Sequence, residues 1–370
     1  MSHLIYTLSK QYFQLVDVHQ LSIPPNNVLI QPAVQEALYE HMFNESLTPL
    51  PPTTYRSRVL KLLLARIEEG ITDPEEDEIL DSLMETWANL LTTPKPSALD
   101  QAQQLSQIKY TAPTSTPSTS TSTSTSTSTT SPRTVTISES RGVILSGGTT
   151  GNRTWEAALH LGSFLATAAG ETLIRGKRVI ELGAGTGFLS LFCAKHLGAK
   201  AVVATDREPF LIDNMRACVE VNNREIEIGE DGRVARTIPM YPAIWDWGTK
   251  LETVENEDRE GNEQDSVSVV EEESVGFDIA LGADLIYDAD IIPLLISTVR
   301  DLFENYHIGQ FIIAATLRNE KTFKTFLDAC ETNSFTVETL PFQSTAEEEQ
   351  TGFFHSTSIP IHTYRILPSK

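Results

Sequence analysis

Apolar and polar positions beyond residue 135 switch repeatedly between the spacing of strands and the spacing of helices. Short apolar runs predict buried strands, and each is followed by a segment with the apolar periodicity of an amphipathic helix. The successive strand patterns are KRVIELG, AVVATD, RVARTIPMY, FDIALGADLIY and QFIIAATLR, and two more lie near FTVETL and STSIPIHTYRIL. This alternation predicts a parallel, doubly wound α/β sheet with a terminal hairpin at one edge.

The first 110 residues show helical spacing instead. In YRSRVLKLLLARIEEGI and DPEEDEILDSLMETWANLL the apolar side chains fall on one stripe, which predicts two amphipathic helices. In the second segment Asp73 stands directly before Pro74, so we predict that Asp73 caps a helix that begins at Pro74. The chain therefore divides into an N-terminal helical region, residues 1–110, and an α/β domain, residues 136–370.

Two segments have compositions that cannot build a core. Residues 111–135 contain TAPTSTPSTSTSTSTSTSTTSPRT, a Ser/Thr/Pro tract with no apolar side chain larger than Ala, which predicts a disordered linker. Residues 252–274, ETVENEDREGNEQDSVSVVEEES, carry ten acidic side chains and one Arg. We predict that this acidic segment is a solvated loop insertion in the α/β domain.

The composition narrows the range of partners. A formal net charge of −22 argues against binding of a nucleic-acid backbone, which requires clustered Lys and Arg. The N-terminus lacks the pattern of a signal peptide, and no apolar run approaches the roughly 20 residues that span a bilayer. Cys193, Cys218 and Cys330 are too far apart for a zinc site. We expect a cytoplasmic monomer with reduced cysteines and without metal, membrane or direct nucleic-acid partners.

A glycine-rich turn joins the first strand of the domain to the following helix. In VIELGAGTGFLSLF the turn holds Gly183, Ala184, Gly185 and Gly187, and its glycines let a ligand approach bare backbone. A dinucleotide and S-adenosylmethionine both suit such a turn. The dinucleotide fingerprint places its third glycine three residues after the second, whereas here it follows after two. Glu181 would repel a pyrophosphate and attract an ammonium group, so the pattern favours the adenosyl ligand.

Three more residues are candidates for contact with the same ligand. Asp206 ends the second strand, 19 residues after Gly187, where a carboxylate accepts hydrogen bonds from ribose hydroxyls in either type of ligand. Trp155 follows Thr154, which we predict to cap a helix, and Trp247 lies after the third strand in YPAIWDWG. Each indole either stacks on adenine or a sulfonium, or is an ordinary buried Trp.

Polar residues also follow the buried strand in FDIALGADLIY. Asp284 comes directly after the apolar run, and Tyr287 lies three residues further on. In an open α/β sheet, ligands bind just beyond the carboxyl ends of the strands. We therefore expect Asp284 and Tyr287 at the rim of the ligand pocket, where the small Ala283 leaves room for the cofactor.

The motifs GTTGNRTWEAAL, VIELGAGTG, ATD, WDWG and GADLIY together resemble the family 16 branch of seven-stranded, S-adenosylmethionine-dependent protein methyltransferases. GADLIY contains the D-x-x-Y motif, from Asp284 to Tyr287, that is typical of lysine-modifying members. The resemblance runs from about Ser146 to the C-terminus and is interrupted by the acidic segment. It implies a Rossmann-like, seven-stranded, doubly wound sheet and S-adenosyl-L-methionine as cofactor.

PPTTYRSRVLKLLLARIE and GTTGNRTWEAALHLGSFLA look like segments of the elongation factor 2 lysine methyltransferases of fungi and animals. This resemblance implies methyl transfer to a lysine of translation elongation factor 2. Because a separate helical region precedes the methyltransferase domain, we expect residues 1–110 to recognise that substrate. The lysine, whose unperturbed pKa is about 10.4, must react as the neutral amine. We expect Asp284 and Tyr287 to be the catalytic pair that orients the amine through hydrogen bonds, without acting as strong bases.

The sequence leaves three alternatives. A methyltransferase of the same fold with a different acceptor would carry the same motifs. An NAD-dependent oxidoreductase is disfavoured by Glu181 and by the spacing of the glycines. A non-catalytic binding module is disfavoured by the intact turn, Asp206 and the D-x-x-Y motif, although the fold by itself does not decide among these functions.

Overall fold

The computed structural model describes residues 3–73, 75, 77–94, 97, 104–114, 131–140, 150–226, 237–251 and 276–368. The chain forms two compact units. The first contains Met1–Gly148 and Thr345–Phe354, and the second contains Thr149–Ser344 and His355–Lys370. Most of the predicted linker, residues 115–130, and all of the predicted acidic insertion, residues 252–274, lie outside the described residues.

The first unit is built mainly from helices. They are α1 (His3–Phe13), α2 (Asn26–Leu29), α3 (Pro32–Leu38), a π-helical turn (Tyr39–Phe43), α4 (Thr53–Glu68) and α5 (Asp81–Thr92). The apolar stripe of α4 packs Leu63 and Ile67 into a core that also holds Tyr12, Phe43 and Leu83. The predicted N-terminal helical region is therefore present, because its apolar periodicity supplies one buried face per helix.

The start of α5 differs from the sequence prediction. The helix begins at Asp81, seven residues after Pro74, and has no side-chain cap. The carboxylate of Asp77 instead accepts hydrogen bonds from the backbone amides of Thr72 and Asp73, both at 3.1 Å. A carboxylate that binds the amides preceding it stabilises a local turn, and this turn replaces the predicted first helical turns.

A β-hairpin completes the first unit. Strands β1 (Ser106–Thr111) and β2 (Thr134–Glu139) pair antiparallel, from Ser106 opposite Glu139 to Thr111 opposite Thr134. The Ser/Thr/Pro tract therefore connects two paired strands of one unit, and the unit extends past the predicted boundary at residue 110. The segment Thr345–Phe354 joins the same unit, since the Phe353 amide donates to the Thr111 carbonyl at 2.9 Å.

The second unit is a seven-stranded sheet in the order β5-β4-β3-β6-β7-β9-β8. The strands are β3 (Arg178–Leu182), β4 (Ala201–Asp206), β5 (Met240–Ile244), β6 (Ile279–Ala283), β7 (Gln310–Thr316), β8 (Thr336–Thr339) and β9 (Ile361–Leu367). Strands β3 to β7 are parallel, whereas β9 runs antiparallel to both β7 and β8. The predicted doubly wound sheet with a terminal hairpin at one edge is confirmed.

Six helices in the described part of the second unit flank this sheet. They are α6 (Glu156–Leu165), α7 (Ala168–Ile174), α8 (Phe188–His196), α9 (Pro209–Ile226), α10 (Ile292–Glu304) and α11 (Glu320–Thr332). Apolar side chains of the central strands, such as Ile180 and Ile313, pack against α10 and α11 through Leu295 and Phe326. In the described residues no single helix has the length and composition to cross a membrane, and α6 and α7 meet that test only as a pair bent by 93°.

The strand order fixes where a ligand can bind. From β3 the chain proceeds outward through β4 and β5, and then it returns to the other side of β3 at β6. The direction of winding therefore reverses between β3 and β6. At such a switch point the loops that follow the two strands diverge and leave a crevice at the carboxyl edge of the sheet.

Shortening the Ser/Thr/Pro tract tests its role as a hairpin connection. Deletion of residues 115–130 should change the free energy of unfolding by less than about 1 kcal/mol, because the entropy of loop closure depends weakly on loop length. Cofactor affinity, measured by calorimetric titration, should not change. As a control, Ile137→Ala, which truncates a fully buried side chain of β2, should cost about 2–4 kcal/mol. A loss of similar size in the deletion variant would contradict the prediction.

Candidate active site

The turn after β3 lies at the switch point and has the backbone of a ligand cradle. Gly183 and Gly185 have φ of +57° and +53°, a region that side chains with a Cβ rarely adopt. A Cβ on Gly185 would lie 3.0 Å from the Gly151 carbonyl oxygen. The Ala184 amide donates to the Thr205 carbonyl at 2.8 Å, which ties the turn to β4. The predicted strand–turn–helix context of Gly183, Ala184, Gly185 and Gly187 is therefore observed.

Asp206 holds the same turn from the end of β4. Its Oδ2 accepts from the Gly185 amide at 3.0 Å, and its Oδ1 accepts from the Glu208 amide at 3.3 Å. Burial raises the pKa of this carboxyl, while the backbone hydrogen bonds oppose the shift. A carboxylate accepts about four hydrogen bonds, and the amides of Gly185, Glu208 and Arg207 take up three, so Asp206 keeps about one acceptor position for a ribose hydroxyl. The predicted contact with ribose stays a prediction.

Glu181 is buried and bonded to the start of α8. Its Oε2 accepts hydrogen bonds from both the amide and the hydroxyl of Ser190. The Ser190 amide is one of the donors that a helix N-terminus leaves without a helical partner, so Glu181 anchors β3 to α8. Burial raises the pKa of this carboxyl to about 7, although the hydrogen bonds from Ser190 lower it. Its predicted attraction for an ammonium group stays a prediction.

The two tryptophans proposed as ligand contacts have different surroundings. Trp247 is half-buried beside the glycine turn, and its ring would lie 3.4 Å from a Cβ on Gly183. Trp155 is the N-cap residue of α6, and its indole N–H donates to the Thr150 carbonyl at 3.0 Å. The prediction that Thr154 caps this helix is wrong, because its hydroxyl bonds to the Thr186 hydroxyl at 2.8 Å.

Asp284 lies directly after β6 in a left-handed conformation, with φ of +54°. Its amide donates to the Ala314 carbonyl at 2.9 Å, and Ala283, the last residue of β6, pairs with Ala314 in β7. Oδ1 of Asp284 accepts from the Thr316 amide at 2.9 Å, and Oδ2 accepts from the Thr316 hydroxyl at 3.2 Å. The carboxylate is therefore fixed at the sheet edge, as its position in the sequence predicts.

Arg318 contacts the same carboxylate. Its Nη1 lies 3.1 Å from Oδ1 of Asp284, and its Nη2 donates to Oδ2 at 3.1 Å. Nη2 also donates to Oε2 of Glu156 at 3.1 Å. The guanidinium carbon lies 5.4 Å from the ring centre of Trp155, and that of Arg153 lies 5.2 Å from it. The Trp155 ring thus faces cationic groups.

Tyr287 is separate from this cluster. Its side chain is 60% exposed, and the described contacts include no hydrogen bond between it and Asp284. Partial burial raises the pKa of Tyr287, and the charges of Arg207 and Asp206 also act on it, which places the phenol toward the end of β4. Its catalytic role stays a prediction. Asp288 accepts from the Asp290 amide at 3.0 Å and caps a short 3-10 helix.

Sequence reasoning missed Thr316, Arg318 and Glu156. Strand β7 lies next to β6 and ends at Thr316, and Arg318 follows two residues later. Both residues therefore lie at the same edge of the sheet as Asp284. The rule that located Asp284, polar residues just past a buried strand, also applies to QFIIAATLR. The pairing of Arg318 with Asp284 spans 34 residues of sequence, and no local pattern reports it.

The glycine turn at a switch point, the carboxylate that ends β4 and the indole beside the turn define an enzyme of the doubly wound class with a nucleoside-binding site. Residues 135–259 match the lysine methyltransferase family. A protein-lysine N-methyltransferase EFM3 of Chaetomium thermophilum is 37% identical over 95% of this chain and 94% of its own length. The chain belongs to the protein-lysine N-methyltransferase family, and its methyl donor is S-adenosyl-L-methionine.

Two further similarities accompany this match. The protein-lysine N-methyltransferase EEF2KMT of Bos taurus is 25% identical over 75% of this chain and 71% of its own length. A solved structure described as a putative SAM-dependent methyltransferase, from Streptococcus mutans, is 14% identical, with a TM-score of 0.38 over 63% of this chain and 53% of that chain. The family match over residues 135–259 and the Chaetomium relative confirm the family resemblance derived from the sequence motifs.

The residues at the crevice fit S-adenosyl-L-methionine. The left-handed backbone at Gly183 and Gly185 forms a tight turn without Cβ atoms at these two positions, and the side chains of Leu285 and Trp247 pack beside Gly183. Asp206 has unused acceptor capacity at the end of β4, where a ribose is expected. Ala283 adds only a methyl group at the end of β6.

The substitution Gly185→Ala tests the cradle. Its Cβ would contact the Gly151 carbonyl, so we expect cofactor affinity in calorimetric titration to fall by about tenfold or more. Gly176→Ala is a matched control, because Gly176 also has a positive φ of +72° but nothing lies within 4 Å of its added Cβ. Both variants should lose about 1 kcal/mol of stability from backbone strain, and Gly185→Ala should lose more because its Cβ also contacts the Gly151 carbonyl. Equal cofactor affinity in the two variants would refute this placement of the ligand.

The burial of Glu181 predicts a pH dependence of stability. Its pKa in the folded state, about 7, exceeds the ordinary value of 4.5, so the folded state holds an extra proton between these pH values. The contribution of Glu181 is therefore most favourable below about pH 4.5 and is lost as pH rises to about 7. Glu181→Gln cannot ionise, and its stability relative to the parent should rise across this window by on the order of 2–3 kcal/mol.

The measurement is denaturant unfolding of both proteins at a series of pH values without cofactor. Parallel stability profiles for the parent and Glu181→Gln would show that Glu181 has the same proton affinity in the folded and unfolded states.

Proposed function

We propose that this enzyme methylates a lysine of translation elongation factor 2. The proposal rests on how much of the chain is similar to the Chaetomium EFM3 and the bovine EEF2KMT. The family match covers residues 135–259, whereas the Chaetomium relative aligns with 95% of the chain and the bovine EEF2KMT with 75%. The Chaetomium alignment therefore includes most of the first, N-terminal unit, of which only residues 135–148 fall within the family match. A unit shared beyond the catalytic sheet is the natural carrier of substrate specificity.

The overall charge agrees with a protein acceptor. The net charge of −22 favours a basic protein surface over a nucleic-acid backbone. The three cysteines are free and buried, as is usual in a reducing compartment. This supports our proposal that the activity is cytoplasmic, and we also propose that the enzyme acts as a monomer.

The chemistry requires a neutral amine held in line with a methyl group. S-adenosyl-L-methionine supplies that methyl group on a positively charged sulfur. The glycine turn, Asp206 and Trp247 would hold this cofactor, and Asp284 would accept a hydrogen bond from the amine and so aim its lone pair. A carboxylate by itself favours the charged ammonium, so we assign orientation to Asp284 and release of the proton to water.

A methyltransferase of the same fold with a different protein acceptor is the alternative. It would use the same cradle and Asp284, and it would differ in what the N-terminal unit binds. Purified elongation factor 2 and a whole-cell lysate, each incubated with the enzyme and radiolabelled S-adenosyl-L-methionine, distinguish the two. A single labelled band of the size of elongation factor 2 in both supports the proposal, and labelling of other proteins alone refutes it.

The role of Asp284 is tested in the same assay. Asp284→Asn keeps the shape of the side chain but removes its charge, and we expect turnover to fall by about 100-fold because the amine loses its orientation. Asp288→Asn is the matched control, a neighbouring carboxylate that caps a short helix. Calorimetry should give unchanged cofactor affinity for both variants. Full turnover by Asp284→Asn would remove this residue from the catalytic site.

A further inference from the structure

The carboxylate of Asp284 is almost fully occupied by donors. A carboxylate offers about four lone-pair sites, two on each oxygen. Oδ1 accepts a hydrogen bond from the Thr316 amide at 2.9 Å and lies 3.1 Å from Nη1 of Arg318. Oδ2 accepts hydrogen bonds from the Thr316 hydroxyl at 3.2 Å and from Nη2 of Arg318 at 3.1 Å. An incoming amine therefore gains a well-placed hydrogen bond to Asp284 most readily when one of these donors leaves.

The two donor residues differ in how readily they leave. Thr316 is the last residue of β7, is 6% exposed and donates partly through its backbone, so its release would open the sheet. Arg318 lies beyond the strand, and its side chain is 38% exposed. Its guanidinium also has a second set of contacts, because Nη2 bonds to Glu156 at 3.1 Å and the group faces the Trp155 ring. Of the two donor residues, Arg318 is therefore the one that can leave Asp284 when an amine arrives.

The surroundings of Arg318 are those of a binding site for a cationic side chain. Two carboxylates, Asp284 and Glu156, face the guanidinium, and the Trp155 ring borders it. Carboxylates attract a lysine ammonium as they attract a guanidinium, and an aromatic face attracts either cation. The site thus contains a cation from its own chain in the place where the cationic lysine of the substrate would bind before it loses its proton.

We propose that Arg318 occupies the binding site of the substrate lysine in the free enzyme and yields Asp284 to that lysine when the substrate binds. Trp155 and Glu156 then form the wall of the lysine site. The inference rests on the proposed lysine acceptor. Beyond that acceptor, the inference names Arg318 as a competitor for the lysine site. It also names Trp155 and Glu156 as the residues that recognise the lysine side chain.

The competition predicts the sign of a kinetic effect. Arg318→Gln removes the competing cation and leaves Asp284 held by Thr316. We expect the KM for elongation factor 2 to fall about tenfold without a rise in kcat, because the pairing is broken on binding and stays broken through the reaction. If Arg318 instead serves only to position Asp284, the same variant lowers kcat or raises KM. The two roles thus give opposite results.

A matched ion pair supplies the control. Arg365 pairs with Glu338 at 3.3 Å, with a side-chain exposure of 30%, at the far edge of the same sheet. Arg365→Gln removes a comparable surface pair without touching Asp284, and its KM should equal that of the parent. Cofactor affinity from calorimetric titration verifies that both variants are folded.

A second measurement does not depend on elongation factor 2. n-Butylammonium, a lysine side chain without its backbone, is titrated against the parent, Arg318→Gln and Arg365→Gln. Binding is followed by the NMR resonance of the Trp155 indole N–H, identified by its loss in Trp155→Phe. Arg318→Gln should bind butylammonium about tenfold more tightly than the other two proteins.

The outcomes separate the two proposals. Equal butylammonium affinities in all three proteins, or a higher KM in Arg318→Gln, would overturn the inference about Arg318 even if elongation factor 2 is methylated. Tighter butylammonium binding by Arg318→Gln, in an enzyme that fails to methylate elongation factor 2, would support the lysine site and refute the proposed substrate.

Discussion

The pairing of β3 with β6 is the contact on which the site depends. These strands lie side by side from Val179 opposite Ile279 to Leu182 opposite Gly282, so the turns that follow them emerge together. Leu285 occupies the space between the turns. A Cβ added to Gly183 would lie 2.8 Å from the Leu285 side chain, and a Cβ added to Gly282 would lie 2.7 Å from it. Two missing side chains thus make room for one buried leucine, which holds the cofactor turn against the segment that carries Asp284.

The acidic residues of the site belong to the fold as much as to the chemistry. Glu181 binds the start of α8, Asp206 binds the glycine turn, and Asp284 binds the end of β7. Each carboxylate is held by backbone amides before any ligand arrives, which fixes its position at no entropic cost during binding. A ligand therefore competes for the remaining acceptor positions. Asp206 keeps about one such position, whereas we infer that a lysine reaches Asp284 by exchange with Arg318.

The sequence predicts those features that local patterns determine. Strands and helices follow from apolar periodicity, and the glycine turn follows from residues that tolerate positive φ. Asp206 and Asp284 were found because a parallel sheet places strand ends at one edge. The errors arise from partners distant in sequence. Thr154 looks like a helix cap, but its hydroxyl bonds to Thr186, 32 residues away.

The same reasoning accounts for the other differences. The Ser/Thr/Pro tract has the composition of an interdomain linker, yet it connects β1 to β2, and only the pairing of those strands reveals this. Arg318 went unnoticed because its partners, Asp284 and Glu156, precede it by 34 and 162 residues. The local composition of a segment does not specify which strand or carboxylate lies beside it in the fold.

An internal arginine at the lysine site would also make methylation depend on docking. Arg318 is tethered beside Asp284, so its effective concentration there is far above that of a free lysine side chain in solution. A lysine gains a comparable advantage only when its protein is already bound to the enzyme through other contacts, which is the role that we assign to the N-terminal unit. On this proposal, the pairing of Arg318 with Asp284 would reject lysines that arrive without such docking. Specificity for one protein would then follow from a competition in which every exposed lysine is chemically equal and only the docked one is concentrated enough to displace the arginine.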